Sequence, residues 1–342
     1  MTIRTPLAVF VLGASLFAAP AFSAPPDLPA IEAAPQLSSL APPAEPQGDV
    51  AFGAYQRGEY LLAMTEALKR VENKEDTGPA MTLIGFLYEN GLGFPRDTKK
   101  AAEWYELGAK EGDANSMVAL ALLKLEGDGT GKDRPGAADL FEKAAAQGDP
   151  IALYNTGLLR MQGDVRPHDI AAAARDFKAS AEAGNVDGQY AWAVCLREGR
   201  GVEADRTLGA DFLAKAAAQG HTDAMAEYAI AMFNGDGTPK NEDGAARLFR
   251  QAAAKGHVIA MNRLARLYAA GRGVEGNNVT AAAWYLLARK LGSADPFLDD
   301  LLAGLAPERL AEAEKQSATL LQPGARAAAL DTAGGAGANA AP

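Results

Sequence analysis

A single cysteine, Cys195, is all the thiol that the 342-residue chain contains, so no internal disulfide can form and stability has to come from packing. Histidine is nearly as scarce, with three residues spread along the chain, so no metal site and no cofactor are expected. Cations are outnumbered, 33 Lys and Arg against 43 Asp and Glu, and the net charge of -10 argues against sequence-independent binding to nucleic acid or acidic lipid. The common catalytic signatures are missing as well: there is no Ser-x-x-Lys, Gly-x-Ser-x-Gly or His-Glu-x-x-His. The stretch GDGTGKD (127–133) superficially suggests a phosphate or calcium loop. Walker spacing would need a glycine at Glu126 and Ser or Thr at Asp133, and a calcium loop would need an oxygen ligand at Lys132, so a turn between helices is expected.

Long apolar runs are absent too, apart from residues 7–19, which follow Arg4 and precede the small-x-small sequence Ala21-Phe22-Ser23. Thirteen apolar residues fall short of the roughly 20 that cross a bilayer, so residues 1–23 are expected to be a cleavable signal peptide and the mature protein to be periplasmic or secreted, with no transmembrane segment. Residues 24–48 are rich in Pro and Ala without periodicity and are expected to form a linker, and the Ala/Gly-rich residues 323–342 a second unstructured tail.

What the chain does have is repetition. AAAQGD at 144–149 returns as AAAQGH at 216–221 and as AAAKGH at 252–257. Glycines fall at 91, 127, 163, 199, 235 and 271, and a second series at 112, 148, 184, 220, 256 and 292, both stepping by 36. Six units of 36 residues therefore run 78–113, 114–149, 150–185, 186–221, 222–257 and 258–293. Within each, apolar residues at helical spacing lead to glycine at position 14, a helix stop. Asp97, Asp133, Asp169, Asp205, Asn241 and Asn277 at position 20 are expected to cap a second helix. That helix carries small residues at positions 24 and 25 and a large apolar one at 28: Tyr105, Phe141, Phe177, Leu213, Phe249 and Tyr285. Position 8 is always Gly or Ala, as expected where a helix backbone crosses closely. Residues 49–77 resemble a helix pair with a tighter turn, an N-terminal cap, and 294–322 two short amphipathic helices that cap the other end. The expectation is all-α: sixteen helices and no sheet.

The stretches LIGFLYENGLGFPRDTKKAAEWYELGAKEGD and LARLYAAGRGVEGNNVTAAAWYLLARKLG resemble the Sel1-like repeat family, relatives of tetratricopeptide repeats. The resemblance spans residues 78–293 and implies a right-handed α-solenoid of antiparallel helix pairs, with the first helix of each pair lining the concave surface and an adaptor role toward other proteins. Some exported relatives are cysteine-rich and bind β-lactams, but this chain lacks their paired cysteines. The unit 150–185 departs most, with Val165 in place of the second turn glycine and Arg160 in place of the common aromatic, so its turn is expected to be distorted.

A stripe at positions 5, 9 and 12 is the candidate partner-binding surface: Val118, Leu122 and Leu125; Tyr154, Leu158 and Met161; Tyr190, Val194 and Arg197; Ala226, Ile230 and Phe233. It is either an open apolar groove, which marks a docking site, or core, if the first helices are rotated inward, a reading that Lys124 and Arg160 at position 11 support. Toward the C-terminus the stripe turns polar with Asn262, Arg263 and Arg266, suited to an acidic residue or a chain terminus. Asn155 is expected to bond peptide backbone. His221, His257 and the Asp299-Asp300 pair are expected to be turn and surface residues, and Cys195 a small buried thiol. The functional expectation is a non-enzymatic adaptor that holds a peptide or helix of a cell-envelope protein. The alternatives are a binder or hydrolase of cell-wall fragments or β-lactams, and a groove occupied by the chain's own linker.

Overall fold

The computed structural model describes residues 49–321; the expected signal peptide, linker and C-terminal tail lie outside the described residues. Those residues form sixteen helices and no strand. The first pair is α1 (Val50–Gln56) and α2 (Tyr60–Asn73). The repeat units follow as α3 (Thr77–Asn90) with α4 (Thr98–Lys110), α5 (Ala114–Glu126) with α6 (Arg134–Ala145), α7 (Pro150–Gln162) with α8 (Ile170–Glu182), α9 (Val186–Glu198) with α10 (Arg206–Ala218), α11 (Thr222–Asn234) with α12 (Glu242–Ala254), and α13 (Val258–Ala270) with α14 (Asn278–Lys290). The chain closes with α15 (Pro296–Ala303) and α16 (Pro307–Ser317).

Each boundary has a chemical cause. The position-14 glycines take left-handed φ values between 63° and 78° and end the first helix of every unit, where a Cβ would be strained. Position 20 caps the second helix as expected: Asp97 accepts from the Lys100 N–H at 3.0 Å and Asn277 from the Thr280 N–H at 3.0 Å, with the other four units alike. Position 36 caps the next first helix in the same way, through Asp113, Asp149, Asn185 and two histidines.

Within a pair, the position-28 side chain is the anchor. Tyr105, Phe141, Phe177 and Leu213 are completely buried, each contributing roughly 1.5–3 kcal/mol of transfer free energy. The small residue at position 8 makes room for it. A Cβ on Gly85 would lie 2.5 Å from the Tyr105 ring and one on Gly157 2.6 Å from the Phe177 ring, so at these positions the crowding group is a ring and not the crossing backbone expected.

Between units, the close approach is made by glycine at position 16. A Cβ on Gly129, Gly201, Gly237 or Gly273 would overlap the carbonyl of Thr98, Ile170, Arg206 or Glu242, the residue that opens the preceding second helix. Acids one residue earlier staple the same junction: Asp128 binds Arg96 and Thr98, Asp164 binds Arg134, and Asp236 binds Arg206. The GDGTGKD stretch is such a turn. Val165 breaks the pattern, as expected. It avoids the left-handed region, and the adjacent Arg166 holds the turn instead by reaching back to Asp139 and Glu142 on α6.

Curvature follows from which helices touch. First helices of successive units pack together, α3 on α5 and α7 on α9. The second helices stand apart, with open clefts between them lined by residues such as Glu106 and Lys143, or Lys178 and Leu208. The first helices therefore form the inner, concave wall. The apolar core runs unbroken from Tyr154 to Ala313, while the N-terminal part is divided into three smaller clusters. At the C-terminal end α16 packs on α14 and closes the last unit.

Candidate functional site

Side-by-side packing of the first helices decides the fate of the stripe. Val118, Leu122, Leu125, Tyr154, Leu158, Tyr190 and Val194 are buried, so in units 2 to 4 the expected open apolar groove is corrected: this part of the stripe is core between neighbouring helices. Tyr154 packs on the Phe177 ring, and Tyr190 reaches across to α11. Asn155 is also corrected. It is fully buried, and its Nδ2 donates to the Ile151 carbonyl of its own helix at 2.9 Å, so it is not presented to a peptide. Lys124 and Arg160 at position 11 are half-buried because each pairs with an acid at its own unit's second helix, Asp133 and Asp176. Met161, Arg197, Ile230, Phe233 and Arg263 keep partial exposure.

A polar cluster lies on the concave wall of α9, α11 and α13. Asp187 and Asp223, at position 2, meet histidines across the same unit: His221 Nε2 lies 3.6 Å from Asp187, and His257 Nε2 lies 3.0 Å from Asp223. Each histidine accepts a backbone N–H through Nδ1, from Ala224 and Ala260, which places its proton on Nε2. The Tyr190 ring stacks on His221 at 4.5 Å, and its hydroxyl donates to Glu227 at 2.7 Å. Burial pushes the carboxyls of Asp187 and Glu227 up and the His221 imidazole down, whereas the hydrogen bond from His257 holds Asp223 low.

The cations sort into paired and unpaired. Arg197 donates to Asp236 at 2.9 Å. Arg266 is buried in a two-pronged pair with Asp295, at 2.6 and 2.7 Å, and so anchors the C-terminal cap instead of facing a partner. Arg263, one helical turn from the half-exposed Ile259, has no ion pair or hydrogen bond among the described residues. Burial and the neighbouring Arg266 depress its basicity. Phe233 lies under the Arg272 guanidinium at 4.3 Å.

Cys195 is buried and its thiol is pushed up to about 12 by burial, the opposite of what a nucleophile needs. Among the described residues no cluster of His, Cys, Asp or Glu has the geometry to hold a metal ion, and no helix is long and apolar enough to cross a membrane. Asp299, expected at the solvated surface, accepts the Tyr285 hydroxyl at 2.8 Å. The capping role of His221 and His257 was missed by sequence reasoning, although Asp113, Asp149 and Asn185 at the same repeat position carry the signal. Glu227 and Ile259 were missed because they lie beside the stripe.

The Sel1 repeat matches residues 78–113, 114–149, 150–185, 186–221, 222–257 and 258–293. Among solved structures, a protective antigen present in uropathogenic Escherichia coli strains and displaying an SLR fold is similar at 26% identity and a TM-score of 0.58, over 83% of this chain and 70% of that one. A Sel1 repeat protein from Oxalobacter formigenes is similar at 25% identity and a TM-score of 0.62, over 73% of this chain and 100% of that one. No curated protein matches the chain. With six matched units in unbroken register over more than half its length, each one helix pair of the solenoid, the chain belongs to the Sel1 repeat family.

Proposed function

We propose that this protein is a non-catalytic adaptor of the periplasm that holds a peptide or helix of a cell-envelope protein on the concave face of α11 and α13. The coarse role, a scaffold for protein partners, is that of Sel1 repeats generally. One observation carries the finer reading: Ile230, Phe233, Ile259 and Arg263 keep exposure on α11 and α13, whereas most of the stripe in units 2 to 4 is closed by packing. Export rests on residues 1–23, with their Arg4, apolar run and small-x-small site.

Charge placed on the wall tests the binding surface. Ile259→Glu and Arg263→Glu should each lower recovery of envelope partners on co-purification by about 10-fold, the worth of one buried contact near 1.4 kcal/mol, while Leu208→Glu on the outer face of α10 leaves recovery intact. Helical circular dichroism confirms that all three fold. Equal recovery with all variants contradicts the reading. Cell fractionation, with the mass of the mature chain, checks the export: a periplasmic product lacking its first 23 residues is expected, and an unprocessed cytosolic one contradicts it.

A further inference from the structure

One register repeats across the concave wall with different chemistry at each junction. Between α9 and α11 the position-5 residue of one unit meets the position-6 residue of the next: the Tyr190 hydroxyl donates to Glu227 at 2.7 Å. The equivalent residues between α11 and α13 are Ala226 and Arg263. A methyl group can neither reach nor neutralise a guanidinium. Ala226 is itself buried in the core, and Arg263 is left without an ion pair or hydrogen bond among the described residues.

The surrounding charges do not supply a partner. The charges acting on Arg263 are Arg266, which repels it, and Asp295, which attracts it. Asp295 is already committed. Both of its oxygens take hydrogen bonds from Arg266, at 2.6 and 2.7 Å, and the group is almost fully buried. On the other side, Glu227 is held by Tyr190, and Asp223 by His257. A half-buried cation in this setting favours an incoming anion, because its own desolvation has already been borne by the fold and a planar carboxylate matches the guanidinium fork. Ile259, half-exposed and one turn earlier on the same face of α13, offers an apolar contact next to that charge.

We propose that Arg263, with the side chain of Ile259 beside it, forms a subsite for a carboxylate of the bound peptide flanked by an aliphatic residue. It rests on the concave-face reading above and specifies the partner's chemistry: an acidic or carboxy-terminal segment, drawn to a cationic spot on a chain that is anionic overall. The carboxylate comes from an Asp or Glu side chain or from a free chain end, and both present the same planar anion.

The test is a peptide array in which each random sequence is made twice, with a free carboxylate and with a C-terminal amide, and probed with the purified wild-type protein, Arg263→Gln, Arg263→Lys and Ile259→Glu. The expected binders carry a carboxylate beside Leu, Ile or Val. Arg263→Gln should weaken them by on the order of 10- to 100-fold, the range of a charge-assisted hydrogen bond, without weakening their neutral counterparts, and Arg263→Lys should retain part of the affinity. Loss on amidation assigns the carboxylate to the chain end; binding that survives amidation but needs Asp or Glu assigns it to a side chain. Peptides that bind the wild type without any carboxylate preference, and lose affinity with Ile259→Glu, overturn the subsite and leave the concave-face reading standing. Peptides that bind equally to Ile259→Glu, or no binding at all, overturn both.

Discussion

Arg266 and Asp295 show how a residue that resembles a binding group is committed to structure. Their pair is buried at both ends, and each oxygen of Asp295 is used. Removing one partner leaves an uncompensated buried charge, so Arg266→Met should destabilise the protein by about 3 kcal/mol or more in urea unfolding, with the C-terminal cap released first. A loss near zero would show that the pair is dispensable. The histidine caps carry a pH dependence of definite sign. Burial holds His221 below its ordinary pKa of 6.5, so on acidification the unfolded chain takes up the proton first. Its contribution is complete above about pH 6.5 and declines below it, because protonated Nδ1 can no longer accept the Ala224 N–H. Asp187 works in the opposite direction, since burial raises its pKa and acidification favours the folded form. His221→Asn, which copies the cap at Asn185, isolates the imidazole. Relative to this variant, the wild type should lose about 1 kcal/mol, the worth of a cap, between about pH 7 and 5; a constant difference would contradict the titration. At this scale the sequence was only partly legible. The caps at position 20 follow from local chemistry, whereas Arg266 and Asp295 are 29 residues apart, and nothing local says that they meet.

Helices and turns were legible almost completely, because glycine at position 14 and Asp or Asn at position 20 punctuate every unit through backbone geometry that needs no partner. The face of a helix was not. An i, i+4, i+7 stripe fixes which residues share a side, but whether that side is open depends on how closely the next first helix lies, which is a property of the stack. Tyr154, Leu158 and Val194 are core for that reason. The turns offer a discriminating pair of substitutions. Gly112 has a left-handed φ of 89° and open space around it, so Gly112→Ala should cost about 1 kcal/mol of backbone strain. Gly201, with a φ of 68°, would also drive its Cβ into the Ile170 carbonyl, so Gly201→Ala should cost clearly more, on the order of 2–3 kcal/mol. Equal losses in thermal unfolding would mean that the close approach between units is not a constraint.

Over the whole molecule, stability is distributed unevenly. The core from Tyr154 to Ala313 is continuous, while the units before it share smaller, separate clusters, and the turn at Val165 is held by Arg166 at the boundary. In a stack whose units depend on their neighbours, the N-terminal helices should open independently. Amide hydrogen exchange is expected to show α2 to α4 exchanging by partial unfolding and α9 to α14 only by global unfolding; uniform protection would contradict it. The concave wall sits within that more stable block, which keeps Ile259 and Arg263 in fixed positions. Its use as a docking surface is tested most directly by photo-crosslinking in living cells, with a benzophenone side chain placed at Ile259 on the inner wall or at Leu208 on the outer face. Adducts with an envelope protein from position 259 and none from 208 are predicted; adducts from 208 alone, or from neither, would contradict the proposed role.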